Sequence, residues 1–208
     1  MRKTMKNKTE QKWKGFLNEL AMKSELPDGW VIIVTKDSNN FDDTFQVLLA
    51  KEEPKKVKNR LTLPEGSFVK ILGKDGTTSQ VIITKYTEDP DPDCSDMFIL
   101  ASASAPQGFG PLLYDIALEL AGKSGVIPDR IYVSKDSYKV WEHYLNNRED
   151  VQKRQLTPEE CPPADFYTDD EFDSDVWQES PLSKVYYKTD NSVIKRLTEN
   201  GKMLYRTG

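Results

Sequence analysis

A strand that runs straight into a glycine turn and then a helix limits this chain's fold more than any other feature. Residues 97–125 read MFILASASAPQGFGPLLYDIALELAGKSG. The apolar run at 97–103 predicts a buried strand. Pro106, Gly108 and Gly110 break that run, and Pro111 suits a first helical position, where a missing N–H has no partner to lose. Leu112, Leu113, Ile116, Ala117, Leu120 and Ala121 recur at the helical period, so a helix is predicted over 111–123, with Gly125 just past its end. A strand tied so closely to a helix asks for a sheet with that helix packed on its face.

The flanking segments extend the same architecture. An amphipathic pattern at 8–23, carried by Trp13, Phe16, Leu17, Leu20 and Ala21, predicts a helix that Pro27 and Gly29 bring to an end. Strands are predicted at 30–35, 44–50, 67–72, 79–86 and 127–134, with GKDGTT as a hairpin or near-hairpin link between the third and fourth. Ser134 is a natural N-cap for a helix over 135–147, whose buried face is Val140, Trp141, Tyr144 and Leu145. Residues 148–180 are polar and proline-interrupted, which predicts irregular structure. KVYYK at 184–188 reads as a strand, and SVIKRLT-ENGK-MLYR reads as a C-terminal β-hairpin around Asn200-Gly201. The expected fold is α/β: a mixed central sheet flanked by helices and closed by that hairpin. It divides into an N-terminal helix and basic segment at 1–29, a core at 30–147, an irregular acidic segment at 148–180, and strands at 181–208 that complete the sheet.

Charge and cysteine usage exclude several classes. The chain of 208 residues carries a net charge of −5, which does not suggest nucleic-acid binding. The charge is uneven: residues 1–15 are basic, whereas DFYTDDEFDSD at 165–175 is strongly acidic. No apolar run is long enough to span a membrane or to serve as a secretory signal, so a cytoplasmic protein is the expectation. Cys94, Cys161 and the single histidine, His143, do not supply a zinc site. One disulfide is open to the two cysteines, with nothing in the sequence to favour it. DPDPDCSD at 89–96 lacks the glycine and the spacing of a calcium loop. Ser102 and Ser104 do not sit in a G-x-S-x-G elbow, so a serine hydrolase is not indicated.

The glycine turn carries the functional reading. A strand–glycine–helix junction points backbone N–H groups at the positive end of a helix dipole, where phosphates bind. Glycines there let a pyrophosphate approach the backbone. The turn is neither a Walker loop nor a dinucleotide fingerprint, whose third glycine would be Leu113.

Strand, G-x-G, apolar helix, short strand and aromatic helix, taken together over residues 97–148, resemble the acetyl-CoA-binding core of the GNAT acyltransferases. GPLLYDIALELA, PDRIYVS and VWEHYLNNR are also similar to a group of phage-encoded GNAT-like proteins. The resemblance implies acetyl-CoA as cofactor and an amine as acceptor. Gly108, Phe109 and Gly110, with Gln107, would hold the pyrophosphate. The strand at 127–134 would splay from its neighbour to admit the pantetheine arm. Tyr144 would be the acid that protonates the leaving thiolate, although Trp141 falls where the family usually places its tyrosine. The family's Q/R three residues before the first glycine is Ala105 here, and Pro111 removes one amide from the cradle.

Acyl transfer also needs a base, for which Glu88, Asp96 and Asp129 lie near strand ends, and a polarised carbonyl, for which the strand at 98–104 offers backbone amides. His143 lies off the apolar face of its helix. The acidic surface favours a basic or small-amine acceptor. A second reading makes the chain a non-catalytic GNAT-fold protein, a virion component or a module that binds a host factor, with the charged segments at 1–15 and 165–175 docking a protein partner.

Overall fold

The computed structural model describes residues 26–38, 42–52, 61–62, 68–71, 79–86, 94, 96–106, 108–130, 132–157, 159–161 and 174–207. The helix expected over 8–23, the acidic stretch 165–173, Glu88 and Gln107 lie outside them.

The protein is α/β, built on one mixed sheet. Its strands are β1 (Trp30–Ser38), β2 (Asp42–Glu52), β3 (Leu61–Thr62), β4 (Phe68–Ile71), β5 (Gln80–Tyr86), β6 (Phe98–Ser104), β7 (Val126–Pro128), β8 (Gln152–Gln155), β9 (Lys184–Tyr187) and β10 (Met203–Thr207). Among the described residues four α-helices accompany them: α1 (Gly110–Ala121), α2 (Lys135–Asn147), α3 (Ser174–Glu179) and α4 (Ser192–Glu199). The strand order is β10-β1-β2-β5-β6-β7-β9-β8, with β3 and β4 attached beside the end of β2. Among the described residues no helix is long and apolar enough to cross a membrane.

Burial on both faces explains why β1 is an unbroken apolar run rather than an alternating one. Ile32 and Val34 join Val47, Leu49, Val81, Ile83, Phe98 and Leu100 in the main core, against Leu113, Ile116 and Ala117 of α1. Val31 and Ile33 point the other way, into a cluster with Leu48 and Ala50. A third cluster forms around Cys94, Met97, Ile127, Leu156, Cys161, Trp177 and Val185. The two cysteines in it are joined in a disulfide, a pairing that nothing in the sequence favoured.

Several expectations need correction. The C-terminal hairpin does not form. Ser192–Glu199 is the helix α4, and β10 pairs in parallel with β1, matching Ile32 to Met203 and Val34 to Tyr205. Val193 and Leu197 are the buried residues of α4, four apart and therefore on one helical face. Asn200-Gly201 stops that helix instead of turning a hairpin. Gly201 takes φ +64°, and the amides of Gly201 and Lys202 bond back to Thr198 and Leu197.

The strand expected over 127–134 is only Val126–Pro128. The region 148–180 holds β8 and α3. The strands on either side of GKDGTT, β4 and β5, do not pair with each other; each pairs with β2 at a different stretch.

A buried ion pair fixes α4 to α1. Glu119 Oε1 accepts from Lys188 Nζ at 2.5 Å and from the Val193 amide at 3.0 Å, and Oε2 accepts from the Ile194 amide at 2.8 Å. The side chains of Glu119 and Lys188 are 0% and 2% exposed. Burial alone would lower the Lys188 ammonium, but Glu119, with Asp115 and Asp190 behind it, outweighs burial and raises it above the ordinary lysine range.

Two substitutions test this framework. Glu119→Ala takes the buried carboxylate from Lys188, leaves the exposed Asp190 at 3.3 Å as its counter-ion and uncaps α4, so a loss of about 3–5 kcal/mol is expected in urea unfolding. Replacing both partners, Glu119→Gln with Lys188→Met, should cost less than Glu119→Ala alone. Gly125 sits at φ +73°, ψ 172°, and a Cβ there would lie 2.6 Å from Val185 and 2.7 Å from Tyr187. Gly125→Ala should therefore cost about 2–4 kcal/mol from backbone strain and overpacking together. An unchanged urea midpoint would show that this junction is not tight.

Candidate functional site

The site is built where two parallel strands part. β6 and β7 are matched at Phe98–Val126, Ile99–Ile127 and Leu100–Pro128. There β7 ends on a proline, which has no N–H to continue a ladder. β6 runs on to Ser104, and from Ala101 its β7-facing side has no strand partner among the described residues. On its other side, the pairing with β5 slips between Ile82 and Ile83, which leaves Ala101 out of register and exposed. Such a bulge twists the strand and re-aims its amides. Beyond it the residues are small: Ser102, Ala103 and Ser104 are all half-buried.

The chain then turns at Gly108, whose φ of +86° favours glycine. Phe109 anchors the turn. Its amide donates to the Pro106 carbonyl at 3.1 Å, and its ring packs on Trp30 with centroids 4.9 Å apart. Gly110 opens α1 and is different in kind: a Cβ added there would meet nothing within 4 Å. Packing against the described residues does not demand this glycine. The N-cap residue of α1, Phe109, makes no side-chain cap hydrogen bond, and the first turn holds no acidic residue. Gly108, Phe109 and Gly110 thus form one turn at the mouth of the parted strands.

Tyr144 lies behind this turn. Ser134 caps α2 by accepting from the Ser137 amide at 3.2 Å, and the aromatic face of α2 then packs on α1. Trp141 and Tyr144 are 1% and 0% exposed. Tyr144 donates its hydroxyl proton to Asp115 Oδ1 at 2.5 Å, with the Pro111 carbonyl oxygen 3.3 Å away. Arg148 grips the same carboxylate at 2.9 and 3.2 Å, reaches Asp150 at 2.7 and 2.6 Å, and lies over the Tyr144 ring at 4.9 Å.

Burial, then the negative charge of Asp115, push the Tyr144 hydroxyl well above the ordinary tyrosine value, against a smaller opposing pull from Arg148. Tyr144 is therefore a neutral donor already committed to Asp115. Tyr114, beside it, is pushed up to about 12 by burial, partly offset by its bond to Ser137 at 3.4 Å.

The base candidates are scattered. Asp96 is exposed. Asp129 follows β7 directly and accepts from the Tyr132 amide at 2.9 Å, which shapes the turn that ends the strand. Of the acidic stretch 89–96 only Cys94 and Asp96 are described, and no cluster among the described residues has the makings of a metal site. The partners of Tyr144 went unread in the sequence. Asp115 and Arg148 are 33 positions apart and carry no motif; only the fold brings them together.

No protein-family model, no curated protein and no solved structure matches the chain.

His143 supplies a prediction. Its Nδ1 is buried without a hydrogen-bond partner. Burial first, then the Arg148 charge, lower it from 6.5, against a smaller opposing effect of Asp115 and Asp150. Because the folded value lies below the unfolded one, the unfolded chain binds the proton first, and stability falls as pH drops below about 6.5. His143→Gln should flatten the stability profile between about pH 7 and 5, measured by urea unfolding at each pH. Equal slopes in the two proteins would rule this histidine out as the cause.

Proposed function

We propose that the chain binds acetyl-CoA at the parted strands and the glycine turn, and transfers the acetyl group to an amine, as a GNAT-like acyltransferase. One observation carries the reading: the parallel pair β6–β7 opens at a bulge and a strand-ending proline, just ahead of a helix start whose N-cap residue makes no side-chain cap bond. A pyrophosphate suits that start, because the first-turn amides and the helix dipole both favour negative charge. An extended pantetheine arm suits the unpaired side of Ala101–Ser104, where backbone groups are open to hydrogen bonding.

In the reaction the amine nitrogen attacks the thioester carbonyl, the C–S bond breaks, and the thiolate takes up a proton. A backbone amide of β6 near the register shift would polarise the carbonyl. Tyr144 remains the acid of the resemblance, and delivery of its proton requires ligand binding to draw its hydroxyl away from Asp115. The acidic chain favours a basic or small-amine acceptor.

The commitment of Tyr144 to Asp115, together with Ala105 in the family's Q/R position, favours a second reading. In it the fold binds without turning over, as a virion component or a module for a host factor.

Calorimetry with acetyl-CoA, against CoA and ATP as controls, tests the proposal. Micromolar and selective binding is expected. Gly110→Asp is the informative variant. Its side chain enters open space, and an acid at a helix start favours the helix, so the melting temperature should hold or rise. The same carboxylate repels a pyrophosphate, and affinity should fall by about tenfold or more, equivalent to at least ~1.4 kcal/mol. No binding at millimolar ligand, or equal binding by Gly110→Asp, would sink the reading and turn attention to protein partners.

A further inference from the structure

The parted strands are a fork, with its open end at the glycine turn and its closed end where β6 begins. β7, the second prong, is the shortest strand on the path β10-β1-β2-β5-β6-β7-β9-β8. It is matched to β6 over Phe98–Leu100 and to β9 at Val126–Tyr186 alone. A ladder this short gives little hold, so the side chains on the two faces of the sheet decide where β7 and β9 stand against β6.

Those two faces are held differently. On one, Phe98, Leu100, Val126 and Tyr186 enter the main core with α1. On the other, Ile99 of β6, Ile127 of β7 and Val185 of β9 pack with the Cys94–Cys161 disulfide in a separate cluster. All three strands of the joint give side chains to this second layer, and both cysteines are buried in it. Cys94 stands before β6 and Cys161 after β8, with their Cα atoms 4.7 Å apart. The Cys94 amide also donates to the Glu160 carbonyl at 3.0 Å. The bond thus links the β6 side of the joint covalently to the β9–β8 side. The segment it encloses, 67 positions from end to end, contains the glycine turn, α1, β7 and α2.

We propose that this disulfide is the brace of the fork: it pins β6 against β7 and β9 at the closed end, and so fixes the gap at which the strands part toward the glycine turn. Separating the closed end requires the two Cα atoms to move apart, which the covalent bond forbids. By closing a long loop, the bond also removes such openings from the states the chain can visit. Beyond the pinned end β7 stops at Pro128 and β6 runs on to Ser104. A cleft with one fixed end is preorganised, and a ligand that fills it has less ordering to do. The consequence for binding rests on the acetyl-CoA reading; the consequence for the joint does not.

Hydrogen exchange read by mass spectrometry on the full chain, with calorimetry against acetyl-CoA, tests the brace. Samples are the oxidised protein, the protein in dithiothreitol, and Cys94→Ser/Cys161→Ser. Exchange at 98–100 and 126–127 is expected to rise about tenfold or more in the reduced protein and in the double variant, with β1 and β2 unchanged. Affinity for acetyl-CoA is expected to fall about fivefold or more in the double variant. Unchanged exchange at the joint overturns the proposal, because the apolar layers then hold it without the bond. Loss of protection in β1 and β2 as well overturns it, because the bond is then a staple for the whole fold. A loosened joint with undiminished acetyl-CoA affinity overturns the link to the cleft. An oxidised protein that does not bind acetyl-CoA sinks the acyl-transfer reading instead, and exchange at the joint then decides the brace by itself.

Discussion

The buried carboxylate of Glu119 holds the last part of the fold in place. It sits in the last turn of α1, wholly out of water, and satisfies three donors at once: the Lys188 ammonium and the amides of Val193 and Ile194. Those donors follow β9 and open α4, so one carboxylate on α1 organises the return of the chain toward β10. Four residues earlier on the same helix, Asp115 does the equivalent for α2 by taking Arg148 and Tyr144. Residues four apart share a helix face, so α1 presents two acids along one seam, and both answer cations from later in the chain. A buried pair of this kind adds little net stability over an apolar pair, but losing one partner is costly. Its effect is to fix where α2 and α4 pack.

The parts of the fold that could be read from sequence are those whose burial follows a local period. The strands near 30–35 and 44–50, the helix after Pro111 and the helix behind Ser134 all appear where apolar spacing or a cap places them. The failures share a cause. Val193, Ile194 and Leu197 are flanked by polar residues and include β-branched side chains, so the stretch resembles a strand with a hairpin turn after it. What decides for helix is non-local, the cap that Glu119 provides from 74 residues away. β8 could not be read because an edge strand need bury only alternate side chains, and in QKRQ those are polar. The strand after Gly125 is short because Pro128 ends it, and Asp129 then bends the chain.

The candidate site divides along the same line. Its backbone was legible, because a positive φ and a helix start impose residue types on the sequence itself: glycine at 108, proline at 111. Its side-chain chemistry was not. Tyr144 was picked out by position on its helix, yet its neighbours Asp115 and Arg148 come from contacts that no spacing announces. The bulge at Ala101 was equally hidden, since it is a mismatch between two strands rather than a property of either.

The helix starts of this protein also differ in a way that bears on the glycine turn. α2 has Ser134 on its first amides, the short helical turn at Pro181–Ser183 has Ser180, and α4 has Glu119. Orphan amides at a helix start are ordinarily satisfied by a side chain, by water or by a ligand. At α1 the N-cap residue Phe109 makes no such bond, and among the described residues a Cβ at Gly110 would meet nothing within 4 Å. Gly108 is explained by its backbone angle, and Pro111 by the first-turn position it occupies. Gly110 is explained by neither packing against the described residues nor a positive φ, and that is the position at which the proposed pyrophosphate site makes its demand on the sequence.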